Sequence, residues 1–82
     1  MSALLSNRAS KYLERMNEPA KSRIKAALRK LEKDPPQGDI TPMSGSDEFR
    51  ARTGGYRILF KVTGGIVYVL DIAPRGQAYK GR

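Results

Sequence analysis

Arg50, Arg52 and Arg57 crowd the stretch EFRARTGGYRILF. Gly54-Gly55 between them reads as a two-residue hairpin turn. That turn sets Thr53 opposite Tyr56, Arg52 opposite Arg57 and Arg50 opposite Leu59. Side chains alternate along a strand, so Arg50, Arg52, Arg57 and Lys61 share one face. Like charges placed directly opposite each other weaken a sheet. A sequence that carries them there implies an anion to sit among them, and a nucleic-acid phosphate is the first candidate.

Arginine offers phosphate oxygens a planar fork of donors and stays charged. Several around one phosphate can bind it and also stabilise a pentacovalent transition state. RNA brings its own nucleophile, the 2′-hydroxyl, so cutting it this way requires no activated water. It requires an in-line geometry, charge stabilisation and groups that move protons. Tyr79 can move a proton if neighbouring cations lower its pKa from roughly 10; it can equally stack on a base. The plainer readings are a solvated sheet face for the cations and an edge residue for Tyr79. Tyr56 and Tyr68 read as structural, and Lys21, Lys25 and Arg29 as the solvent face of a helix. Three arginines on paired strands tilt the balance toward an anion site.

Composition narrows the chemistry. The 82 residues contain no cysteine and no histidine, which removes disulfides, thiolate nucleophiles, the usual zinc ligands and any Ser-His-Asp arrangement. The net charge is +8, which favours an acidic partner. It is unevenly spread: residues 1–34 carry +5, residues 35–48 carry −3 and residues 49–82 carry +6, with Asp71 the sole acid of the last stretch. A basic, carboxylate-poor C-terminal part suits phosphate and disfavours a two-carboxylate mechanism or a carboxylate metal site. No cofactor is expected. No apolar run approaches the roughly 20 residues that span a bilayer, and the N-terminus lacks a signal peptide's apolar region. A cytoplasmic protein of one domain, residues 1–82, with no membrane partner is expected.

The elements that must position these residues follow from period and breakers. Ala3-Leu4-Leu5 reads as a short strand or a lead-in. Ser6 or Asn7 can cap a helix whose stripe is Ala9, Tyr12, Leu13 and Met16. Asn17-Glu18-Pro19 breaks it and starts a second helix, with Asn17 as cap and with Ile24, Ala27, Leu28 and Leu31 as its apolar spacing. Asp34-Pro35-Pro36 ends that helix, and residues 35–47 read as a polar loop.

The period then changes to two. Phe49–Thr53, Tyr56–Thr63 and Ile66–Ala73 read as three strands joined by Gly54-Gly55 and Gly64-Gly65. Thr63 opposite Ile66 would place Tyr56, Ile58, Phe60, Val62, Val67, Val69, Asp71 and Ala73 beneath the helices. It would place Leu59, Tyr68, Leu70 and Ile72 with the cations on the other face. Tyr56 would oppose Ala73, which brings Arg75 near the Gly54-Gly55 end. The fold class expected is α+β: two N-terminal helices packed on one face of a small antiparallel sheet of three to four strands.

The motifs RARTGGYRILFKV and IVYVLDIAPRGQAYK, after RASKYLERM and IKAALRKLEKDP, resemble the RelE/ParE superfamily of toxin–antitoxin toxins across essentially the whole chain. The most specific pieces are the Gly-Tyr-Arg hairpin and the Arg-x-x-x-Tyr ending. The resemblance implies two helices on an antiparallel sheet. For the RelE branch it implies a ribosome-dependent endoribonuclease that cuts mRNA in the A site and is neutralised by a cognate antitoxin. Operator DNA would be met only through the antitoxin complex.

By the same resemblance, Arg50 assists the 2′-hydroxyl or holds the phosphate, and Arg57 binds phosphate. Arg75 stabilises the transition state or protonates the leaving group. Tyr79 orients or stacks on a base. Arg52, Lys61 and Lys80 are expected to contact RNA. Glu48 stands where some members carry lysine, arginine replaces lysine at position 50, and Pro74 precedes Arg75 where histidine or glycine is usual. ParE-type toxins, which inhibit DNA gyrase, share the fold, and a gyrase inhibitor without nuclease activity is the alternative. Retention of Arg57, Arg75 and Tyr79 favours the RelE branch.

Overall fold

In the computed structural model, which describes residues 1–74, the chain runs β1 (Ser2–Leu5), α1 (Asn7–Arg15), α2 (Ala20–Leu31), β2 (Asp39–Pro42), β3 (Phe49–Thr53), β4 (Tyr56–Thr63) and β5 (Ile66–Pro74). Ser6 caps α1: its Oγ accepts from the Ala9 N–H at 3.1 Å and donates to the Leu70 carbonyl at 2.8 Å. One hydroxyl thus fixes both the start of the helix and its seat against β5. At α2 the cap is not the expected Asn17 side chain. The Glu18 carboxylate accepts from the N–H of Ser22 at 3.0 Å and from its hydroxyl at 2.6 Å, while Asn17 contributes its backbone carbonyl to the Lys21 N–H. A carboxylate at a helix start also meets the positive end of the helix dipole.

The five strands form one sheet in the order β1-β5-β4-β3-β2. This corrects the expected all-antiparallel sheet of three to four strands. β1 is a true strand and runs parallel to β5, with Leu5 beside Val69; the connection through two helices permits this, as no hairpin could. β2 lies inside the stretch expected to be a loop and pairs antiparallel with β3, Asp39 against Arg52 and Thr41 against Arg50. Four residues ending in Pro42 carry too little pattern to show as a strand, and the hydrogen bonds of β3 hold it extended.

The two glycine turns join the strands as expected but differ in type. Gly64 and Gly65 both have positive φ, 58° and 77°, whereas in the first turn Gly54 has positive φ, at 57°, and Gly55 does not. Those are the type I′ and type II′ patterns of tight hairpins.

Ile24, Leu28 and Leu31 of α2 and Ala9 of α1 bury against Ala51, Ile58, Phe60, Val67, Val69 and Ile72 of the sheet. Phe49 stacks on Phe60 at 5.6 Å between ring centres. The expected apolar face is therefore right up to Val69 and wrong beyond it. A bulge interrupts the β4–β5 ladder between Leu59 and Phe60: Phe60 pairs with Val69 but Leu59 with Asp71, Ile58 with Ile72 and Arg57 with Ala73. The extra residue, Leu70, reverses the parity of the strand beyond it. Ile72 enters the core, Asp71 and Ala73 join the face of Leu59 and Arg57, and Tyr56 opposes Pro74 rather than Ala73. A buried Ile in place of a buried Asp beneath the helices is the cheaper arrangement by far.

Candidate functional site

β3 and β4 set the site because their ladder is unbroken. Thr53 pairs with Tyr56, Arg52 with Arg57 and Arg50 with Leu59, as the Gly54-Gly55 turn requires. Ala51, Ile58 and Phe60 point into the core, so alternation sends Arg50, Arg52, Arg57, Leu59 and Lys61 to the opposite face. Across the sheet, one row is Asp39, Arg52, Arg57 and Ala73, and the next is Thr41, Arg50, Leu59 and Asp71. Lys61 pairs with Tyr68 in a third row.

The cations differ in environment. Arg52 is exposed, with its Nε 4.0 Å from Asp39 Oδ2; two exposed groups at that distance gain little from each other. The Nε atoms of Arg50 and Arg57 are buried and find no hydrogen-bond partner among the described residues. A buried donor without an acceptor costs about 1–3 kcal/mol. Two such donors on one face, beside a third guanidinium, form a cradle that an oxyanion relieves twice: it supplies acceptors, and it cancels the repulsion between facing charges. Lys61 shares the face one row further along and is half-buried.

Arg75, Tyr79 and Lys80 lie outside the described residues. The structure thus brings together Arg50, Arg52, Arg57 and Lys61 of the expected set.

Sequence reasoning missed the neighbours of Asp71. The Asp71 side chain is 5% exposed, and its Oδ1 meets Arg8 Nε of α1 at 3.2 Å, while Oδ2 is buried without a partner among the described residues. Tyr12, one helical turn on from Arg8, has its phenol pKa raised, first by burial and then by the negative charges of Tyr56 and Asp71. The signal for this cluster was the spacing Arg8, Tyr12 and Arg15, but the bulge that turns Asp71 toward it leaves no mark in the sequence. Among the described residues no group of three or more acidic side chains gathers as a metal site would require, and no helix is long and apolar enough to cross a membrane.

Known proteins share this shape. The toxin–antitoxin complex RelBE2 of Mycobacterium tuberculosis contains a chain that matches with a TM-score of 0.76 at 18% identity, over 90% of this chain and 96% of that one. The archaeal RelE–RelB complex of Pyrococcus horikoshii matches with a TM-score of 0.76 at 25% identity, over 94% and 96%. The RelB–RelE antitoxin–toxin complex of Methanococcus jannaschii matches with a TM-score of 0.71 at 21% identity, over 87% and 88%. No curated protein matches the chain. The model of the family described as ParE toxin of the type II toxin–antitoxin system parDE matches residues 3–79. The chain therefore belongs to the ParE toxin family, within the RelE/ParE superfamily of toxin–antitoxin toxins.

Proposed function

We propose that this toxin is a ribosome-dependent endoribonuclease of the cytoplasm, cutting mRNA in the A site and held inactive by a cognate antitoxin. The observation that carries the reading is the arginine face, where Arg50 and Arg57 present buried, unpartnered Nε donors beside Arg52. The 2′-oxygen attacks the adjacent phosphorus, the bond to the 5′-oxygen breaks, and the products are a 2′,3′-cyclic phosphate and a 5′-hydroxyl. Arg57, with Arg75, holds the charge that builds on the phosphoryl oxygens. Arg50 assists the nucleophile. Tyr79 orients a base or carries a proton to or from the reacting oxygens. Arg52, Lys61 and Lys80 hold the RNA backbone on either side. The similar solved chains are RelE-type toxins bound to RelB-type antitoxins, which supports an antitoxin that occupies the same cations with acidic side chains.

A second reading is supported by the family description, which names a ParE toxin: inhibition of DNA gyrase without nuclease activity. One experiment separates them. The toxin is expressed without antitoxin, mRNA 5′ ends are mapped, and plasmid supercoiling is measured in parallel. New 5′ ends within codons, lost in Arg57→Ala and Arg75→Ala, support the nuclease. Gyrase inhibition with intact transcripts overturns it in favour of the second reading.

A further inference from the structure

The arginine row does not end at the sheet. Ala73 pairs with Arg57 and also walls a cleft of about 370 Å³ between the end of β5 and α1. The cleft is lined on its helical side by Arg8, Lys11, Tyr12 and Arg15, and Asp71 forms part of its opposite wall. One strand's width, about 4.8 Å, separates Arg57 from Ala73, so the cleft opens within a nucleotide's length of the arginine face. Arg8, Lys11 and Arg15 recur at i, i+3 and i+7 and so form one stripe.

The chemistry of the lining is mixed in a specific way. Arg8 is committed to Asp71 Oδ1 at 3.2 Å. Lys11 and Arg15 are exposed and leave a net positive rim. Asp71 Oδ2 is a buried acceptor with no donor among the described residues, and buried polar atoms of this kind are nearly always paired. An inorganic anion would serve the rim and be repelled by the carboxylate. A ligand that carries both a phosphate and a hydrogen-bond donor serves both, and Tyr12 between them offers a ring for a flat group.

We propose that this cleft is a second nucleotide subsite for single-stranded RNA, with a backbone phosphate on Lys11 and Arg15 and the exocyclic amino group of a base on Asp71 Oδ2. The subsite rests on the ribonuclease reading, since it continues the path of the same strand. It gives the toxin a base preference away from the cut phosphate. Cytosine presents an amino group where uracil presents a carbonyl oxygen, which a carboxylate repels, so cytosine is favoured at this position.

The test is binding of the full chain to short 2′-O-methyl oligonucleotides, which cannot be cut. Oligo(C) binds about tenfold tighter than oligo(U), and Asp71→Asn abolishes the difference. The exposed pair Lys11→Gln/Arg15→Gln keeps the fold and lowers the slope of log affinity against log salt by about 0.7, for the one phosphate the two side chains share. An unchanged slope, or equal affinity for the two oligonucleotides, overturns the subsite while leaving the arginine face intact. If Lys11→Gln/Arg15→Gln weakens antitoxin binding and not RNA binding, the cleft is a protein surface and the proposal falls. Failure of the unaltered toxin to bind either oligonucleotide removes the subsite alone, because the ribonuclease reading places the RNA on the ribosome and stands or falls with the mapped mRNA 5′ ends.

Discussion

Arg52 and Arg57 face each other across the β3–β4 ladder, one pair inward from the turn. No ladder chosen for stability would place two guanidinium groups there. The pair is a cost borne by the free protein, and the phosphate contact proposed for this face would offset it.

Arg52→Thr is expected to stabilise the free toxin. A like-charge cross-strand pair costs a few tenths to about 1 kcal/mol, and a β-branched replacement suits the strand. Loss of the exposed 4.0 Å contact to Asp39 offsets a small part. The gain, about 0.5 kcal/mol at low salt, should shrink near 1 M salt, where charges are screened over about 3 Å. Urea unfolding at two salt concentrations measures it; a loss of stability at low salt would show that Arg52 has a protein partner that matters.

The turn that sets this pair depends on one of its glycines. Gly54 has φ of 57° while Gly55 is not in the left-handed region, and a Cβ at either position meets nothing within 4 Å. Gly54→Ala should therefore cost about 1 kcal/mol through backbone strain alone, and Gly55→Ser should be neutral or slightly stabilising. Thermal melting of the two variants distinguishes them, and equal effects would overturn the assignment of turn type.

Glu18 gives the molecule a pH-dependent helix start. Its carboxyl lies below the ordinary glutamate pKa, first because the Ser22 hydroxyl donates to it and then because the Ser22 N–H does. A depressed acid adds stability that is present above its unfolded pKa and is lost as pH falls through the folded value. Ser22→Ala should raise the Glu18 pKa and flatten the acid limb of the stability curve. NMR titration of the Glu18 side chain is the direct check; an unmoved pKa in Ser22→Ala would refute it.

Arg8 and Asp71 should couple strongly. Removing Arg8 leaves a buried carboxylate with neither oxygen paired among the described residues, so Arg8→Ala is expected to cost about 1–2 kcal/mol, moderated by the exposure of the arginine. Adding Asp71→Ala to Arg8→Ala should cost less than Asp71→Ala does alone, in a double-mutant cycle read by urea unfolding. Simple additivity would mean that the ion pair is incidental.

The legible part of the fold was the part governed by short-range rules. The two glycine pairs fixed the register of β3 on β4 throughout and of β4 on β5 from the turn to Val69, and that register placed Arg50, Arg52, Arg57 and Lys61 on one face. The helices followed from Ala9, Tyr12 and Leu13 and from Ile24, Leu28 and Leu31. The hidden part depends on partners distant in the chain. Asp39–Pro42 is extended because β3 lies beside it, and Ser2–Leu5 is the parallel neighbour of a strand more than sixty residues away. Alternation carried blindly past Leu70 put Asp71 under the helices; the bulge moved it to the other face and to Arg8, and with it created the α1 cleft.

Glu32 closes one edge of the sheet. Its carbonyl and carboxylate take the Met1 amino group at 2.6 Å and the Ala3 N–H at 2.9 Å, so the outer side of β1 is partly covered. Of the two edges among the described residues, β2 is the one left to accept a strand. In the language of polymer chemistry the two ends of the sheet differ in functionality: β1 carries an end cap and β2 does not, so strand addition is favoured at β2.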